Sequence, residues 1–218
     1  SSAEATHALG VIALRQRDYD TAEQYFHKAD FLDSEGGYDV DADVAHDLQK
    51  SDDEVYALAQ RLVKADDTQS RGMSLLSELV QRNPLHTDAR ILLGEYQIKT
   101  GDASNGLSQY RLAILTADQS QLAHLEDNLG DLVEQAPESA YVRRLLGETQ
   151  LALGRNEEAA ETFALATELA DQDAVYRAYE SPAHVAIGYD KLNDNDIPGA
   201  IASFEYARQL DYGNSEAR

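Results

Sequence analysis

The sequence contains no cysteine, so it has neither a disulfide framework nor thiolate chemistry, and it fits a reducing and an oxidising compartment equally well. Basic residues are also scarce. The 18 Lys plus Arg stand against 40 Asp plus Glu, a net charge of -22, and such a chain is repelled at long range by phosphate backbones and anionic lipid surfaces. Nucleic acid is therefore not an expected partner. No run approaches the roughly 18 apolar residues that a membrane-spanning helix needs, so no insertion within this segment is expected. No charged-then-apolar leader precedes the body of the chain. Ser1 in place of an initiator Met reads as a processed product or an excised segment, for which an N-terminal anchor would lie outside the sequence.

Recognisable catalytic spacings are missing too. Phosphate loops, zinc-protease helices, nucleophile elbows and dinucleotide fingerprints do not occur. The six histidines, His7, His27, His46, His86, His124 and His184, include no i, i+4 pair that would place two imidazoles on one helix face. Asp39, Asp41 and Asp43 alternate as a calcium loop begins, but Val44 stands where that loop needs Gly and Lys50 where it needs a bidentate Glu. No cofactor, no metal and no enzymatic activity are expected.

What the chain does have is 43% hydrophobic residues over 218 positions, enough for a sizeable core, and a period. Leu9-Gly10, Ala13, Tyr19, Ala22, Phe26 and Ala29 set small residues where two helices would touch and large ones where they would interlock. The same offsets return as Leu93-Gly94, Gln97, Gly101, Gly106, Tyr110 and Ala113. They return again as Leu146-Gly147, Gln150, Gly154, Ala159, Phe163 and Ala166, and as Ile187-Gly188, Ala200, Phe204 and Ala207. A degenerate copy carries Tyr56, Ala59, Val63, Gly72, Leu76, Leu79 and a closing Pro84.

This frame resembles the tetratricopeptide repeat, a 34-residue helix-turn-helix with Leu-Gly at unit positions 7 and 8, Ala at 20, an aromatic at 24 and Ala at 27. The resemblance implies an all-α fold: a right-handed superhelical array of antiparallel helix pairs, a TPR-like α-solenoid, split into two blocks near 121–139. One block, 1–120, would hold units 3–36, 53–86 and 87–120 with an acidic insertion at 37–52. The other, 140–218, would hold units 140–173 and 181–214. Between them, Leu122, Leu125, Leu129, Leu132 and Val133 line one face of 121–139, which reads as a single linking helix ended by Pro137. The insertion 37–52, opened by Gly36-Gly37 and rich in Asp, reads as an exposed loop with a short helix. Segment 174–180 reads as an extension of the preceding helix, with Pro182 restarting the chain.

In the family, helix A lines a concave groove through unit positions 2, 5, 9, 12 and 13. Carried over, the resemblance implies a partner-binding groove with Arg15, Arg61, Lys64, Glu95, Lys99, Tyr141, Arg144, Glu148 and Tyr189 among its lining, the two tyrosines as aromatic anchors. Over all 25 residues at those positions five bases and five acids balance, with Glu4, Glu54 and Asp88 beside Glu95 and Glu148, although the chain is strongly acidic. The competing reading is that the cations only pair with Glu54, Glu95 or Glu148 on neighbouring turns. His7 and Val11 occupy the positions where some members carry the Lys and Asn that clamp a C-terminal carboxylate, which argues against that role. The implied function is a non-catalytic scaffold or adaptor that holds a peptide or helix of another protein, with self-association as a further option. The Leu-Gly-x-x-Gln wording resembles bacterial members, which often serve envelope tasks such as pilus assembly, secretion or exopolysaccharide export, so the resemblance implies such a task and slightly favours a periplasmic or envelope setting over the cytoplasm. The alternative is a regulatory or accessory repeat domain of a larger enzyme.

Overall fold

The computed structural model describes residues 2–215, and every regular element among them is an α-helix. The chain divides into two compact units, Ser1–Gln109 and Tyr110–Arg218. The first contains α1 (Ala3–Arg15), α2 (Tyr19–Leu32), α3 (Tyr38–Asp47), α4 (Asp52–Leu62), α5 (Gln69–Arg82), α6 (Thr87–Lys99) and the opening of α7 (Ala103–Ile114). The second contains the end of α7, then α8 (Gln119–Gln135), α9 (Ala140–Ala152), α10 (Asn156–Leu169), the short α11 (Ala174–Arg177), α12 (Glu180–Asn193) and α13 (Ile197–Ser215). The fold is all-α, with consecutive helices packed as pairs, α1 on α2, α4 on α5, α9 on α10 and α12 on α13.

Helix starts are set by side chains that accept from orphan backbone N–H groups, each worth about 1 kcal/mol. Ser2 caps α1 and Ser139 caps α9, while Ser51 with Glu54 and Asp118 with Gln121 form reciprocal capping boxes on α4 and α8. The turn between the two helices of a pair needs one left-handed residue, at unit position 15. Gly101 (φ 93°) and Gly154 (φ 77°) supply it without strain, and Arg17 (φ 62°) and Asn195 (φ 63°) adopt the same conformation in their own units.

Packing within a pair follows from unit positions 8 and 24. The rings of Phe26, Phe163 and Phe204 lie so close on Gly10, Gly147 and Gly188 that a Cβ there would stand 2.6–2.7 Å from ring carbon. Only glycine admits that approach. In the first unit the largest core joins Val55, Ala59 and Val63 of the α4 segment to Leu75, Leu76 and Leu79 of α5, with Val44 and Leu48 packed among them. Each fully buried Leu is worth about 1.5–3 kcal/mol.

The structure differs from the sequence reading at the breaks between repeats. Segment 37–52 holds the short helix expected there, but it is not exposed: α3 buries Ala42, Val44 and Ala45 and packs on α2 and α5. Its acids hold it there, because Arg71 bridges Asp43 (2.6 Å) and Asp47 (2.5 Å) while Lys50 reaches Asp47 (2.6 Å). Segment 174–180 does not extend α10 either, since Asp171 (φ 52°) and Gln172 (φ 63°) are left-handed and stop that helix. Pro182 falls inside the first turn of α12, where it costs no helical hydrogen bond. The division between units falls inside α7, and α8 of the 121–139 region packs against α9 in the second unit.

Candidate binding surface

α9 brings Tyr141, Arg144 and Glu148 to one side of the second unit, at the i, i+3 and i+7 spacing of a single helix face. Arg144 is 6% exposed, an unusual setting for a guanidinium. Three contacts account for it. Its Nη1 donates to Oε1 of Glu148 one turn on, and its Cζ lies 4.7 Å from the ring centre of Tyr141 and 4.6 Å from that of Tyr179. Desolvated cation–π contacts of this kind are worth up to about 2 kcal/mol each. Tyr179 is in turn stacked on Phe163, with ring centres 6.1 Å apart.

Arg144, Glu148, Phe163 and Tyr179 line an open pocket of about 430 Å³ whose other walls are Arg111, Leu112, Leu115, Leu151 and Pro182, and Tyr141 backs Arg144 from outside that lining. Leu112 and Leu115 are exposed, Leu115 at 77%. Burial pushes the Glu148 carboxyl above the ordinary carboxylate value, and the charges of Arg144 and Arg111 with the Arg144 hydrogen bond draw it part of the way back. Two cations thus face one carboxylate, leaving a locally positive, largely apolar recess in an acidic chain. Its chemistry suits a guest that inserts an apolar or aromatic side chain and presents a carboxylate at the rim.

The remaining residues implied for the groove do not join this pocket. Tyr189 is exposed and sets its ring edge-on to Phe204, 5.3 Å between centres. In the first unit Lys99 donates to Glu95 (2.5 Å) within α6 and lies over Tyr96, so that pair follows the competing reading of a local ion pair. Arg15 is exposed at the end of α1 and its charge acts on the half-buried Glu78. Arg61 and Lys64 are exposed and make no ion pair among the described residues.

The helix-A frame pointed to Arg144, Glu148, Leu151 and Pro182 but not to Arg111, Leu112, Leu115 or Tyr179. A signal for the leucines was present: Leu112 and Leu115 fall at unit positions 26 and 29, which the packing code does not use. Tyr179 had no such signal, because its place depends on the left-handed break at Asp171 and Gln172.

Residues 126–174 match the family model described as tetratricopeptide repeat. The glycine-under-phenylalanine contact that lies within this match, Gly147 under Phe163, recurs at Gly10 and at Gly188, so the matched residues carry a tetratricopeptide repeat and two further helix pairs share its packing. Proteins of this class act in general as protein-interaction scaffolds. No curated protein matches. Among solved structures, a thermophilic TPR protein of Thermus thermophilus is 17% identical, with 96% of this chain and 91% of that chain covered and a TM-score of 0.35. A MamA AMB-1 structure is 21% identical, with 97% and 92% covered and a TM-score of 0.29. A MamA RS-1 double mutant is 17% identical, with 98% and 97% covered and a TM-score of 0.29.

Proposed function

We propose that the second unit is a docking module that seats a helical or extended segment of a partner protein in the Arg144 pocket. The observation that carries this is the pairing of exposed Leu112 and Leu115 with a guanidinium already desolvated and fixed between two tyrosine rings. Apolar walls supply the binding free energy, and a preorganised charge supplies orientation at little entropic cost. Arg111 is the exposed cation at the rim and the first contact for an acidic guest residue. In the first unit Arg61 and Lys64 are the cations left to contact a partner. The Leu-Gly-x-x-Gln wording of the third and fourth frames resembles bacterial members of the family, whose frequent envelope tasks support a setting in bacterial envelope assembly.

A random peptide library displayed on phage and selected on the full chain tests this. Enriched peptides are expected to combine an apolar or aromatic residue with Asp or Glu. They are expected to lose at least about tenfold in affinity, or 1.4 kcal/mol, against Leu115→Asp and against Arg111→Glu. Both positions are exposed, so neither change disturbs the core. Peptides that bind wild type and both variants equally would refute the assignment.

A further inference from the structure

α1 and α13 expose apolar residues at repeat positions that are buried between successive repeats elsewhere. At unit position 3, Val55, Ala89, Val142 and Ala183 are buried, whereas Ala5 on α1 is exposed. At position 7, Ala59, Leu93 and Ile187 are buried, whereas Leu9 is 47% exposed, and one turn further Ile12 is 51% exposed. α13 does likewise: Ile201, at the position of the buried Ala160 on α10, is 54% exposed, and Ile197, at the position of Asn156, is 47% exposed.

The stacking of α12 on α10 shows what these positions contact. Ala160 and Ile187 belong to one apolar cluster, and Asn156 Nδ2 donates to Asp190 Oδ2 at 2.6 Å. Moving that register one repeat along on α13, and back to the first repeat on α1, sets Ile201 against Leu9 and Ile197 against Ile12. The polar pair of the internal contact is thereby replaced by two isoleucines. We propose that the chain associates with itself head to tail, α13 of one copy stacking on α1 of the next in the register of the α10–α12 contact.

A second copy is the occupant because both halves of the interface are present in this one chain, matched in register and in apolar character. Two copies of net charge -22 repel at long range, so an interface between them must rest on apolar contact, which is what the change from Asn–Asp to Ile–Ile provides. The contact joins different surfaces on the two copies, so it propagates to rings or chains unless rotation closes it early.

Sedimentation velocity of the full chain in about 0.15 M salt, where charge repulsion is screened beyond about 8 Å, tests the proposal. Wild type is expected to pass from a 24.0 kDa monomer to species larger than a dimer as concentration rises. Ile12→Asp and Ile201→Asp each leave one end intact and are expected to stay monomeric at least tenfold above the wild-type midpoint. Mixed in equal amounts they are expected to form a dimer and nothing larger. Leu9→Asp and Ile197→Asp provide a second pair, circular dichroism verifies unchanged helicity, and Leu115→Asp is expected to associate as wild type does. The proposal is overturned if wild type stays monomeric, as it would if a preceding segment of a longer protein covers α1. It is equally overturned if the single variants associate like wild type or the mixture remains monomeric.

Discussion

A Cβ on Gly147 would stand 2.7 Å from Cε1 of Phe163, closer than real Cβ atoms approach a neighbour. The same relationship joins Gly10 to Phe26 and Gly188 to Phe204, so it is the unit by which helix pairs are built. Gly147→Ala should cost about 1–3 kcal/mol, because the ring must leave its place in a close-packed interior. Urea unfolding measures this. Phe163→Leu on the alanine background should recover part of the loss, giving a non-zero coupling in the double-mutant cycle. Additive effects would mean that ring and glycine do not share this contact.

Gly154 makes the contrasting case. Nothing lies within 4 Å of a Cβ at that position, and its φ of 77° is the only obstacle to a side chain. Gly154→Ala should therefore cost about 1 kcal/mol through backbone strain alone, with no change that Phe163→Leu could relieve. A loss as large as that of Gly147→Ala would show that the turn is crowded after all.

Arg71 and Asp47 fix α3 to α5, and their effect is pH-dependent. Burial pulls the Asp47 carboxyl upward, but hydrogen bonds from Lys50 and Arg71 and the charges of both outweigh it and hold the carboxyl below its ordinary value. A depressed acid contributes stability that is present above its unfolded value, near 3.8, and is lost as pH falls through the folded one. Asp47→Asn should therefore lower Tm at neutral pH, and the gap to wild type should close as pH falls below 3.8. Arg71→Met leaves Asp47 buried with only Lys50, and should cost about 3 kcal/mol at pH 7. An unchanged gap at all pH values would show that Asp47 does not titrate with folding.

Glu78 behaves oppositely. Burial raises its carboxyl above the ordinary value, with the charge of Arg15 pulling part of the way back. A raised acid costs stability once it ionises, so wild type loses stability as pH rises from the unfolded value through the folded one. Glu78→Gln should raise Tm at pH 7, and the gain should vanish in acid. A variant less stable than wild type at pH 7 would contradict this.

Much of the fold was legible because the packing code is local and repeated. Gly10, Gly147 and Gly188 announce their helix pairs, and the left-handed turn is visible at Gly101 and Gly154, though not at Arg17 or Asn195. The burial of α3 was obscured because Asp39, Asp41, Asp43 and Asp47 mask the apolar period of Ala42, Ala45 and Leu48. Those acids look solvated until Arg71, far along the chain, is seen to hold two of them. Of the candidate site, Arg144 and Glu148 followed from the repeat frame. The burial of Arg144 did not, since it depends on a tyrosine 35 positions later and on the turn that delivers it.

The central claim is that the Arg144 pocket is where this protein holds its guest. Backbone amide chemical shifts of the second unit, recorded with and without a peptide selected on the full chain, test it most directly. The account expects the largest changes at Leu112, Leu115, Tyr141, Arg144, Leu151 and Tyr179. Changes confined to the separate recess around Gly154, Glu157 and Asp194, with those six unmoved, would contradict it.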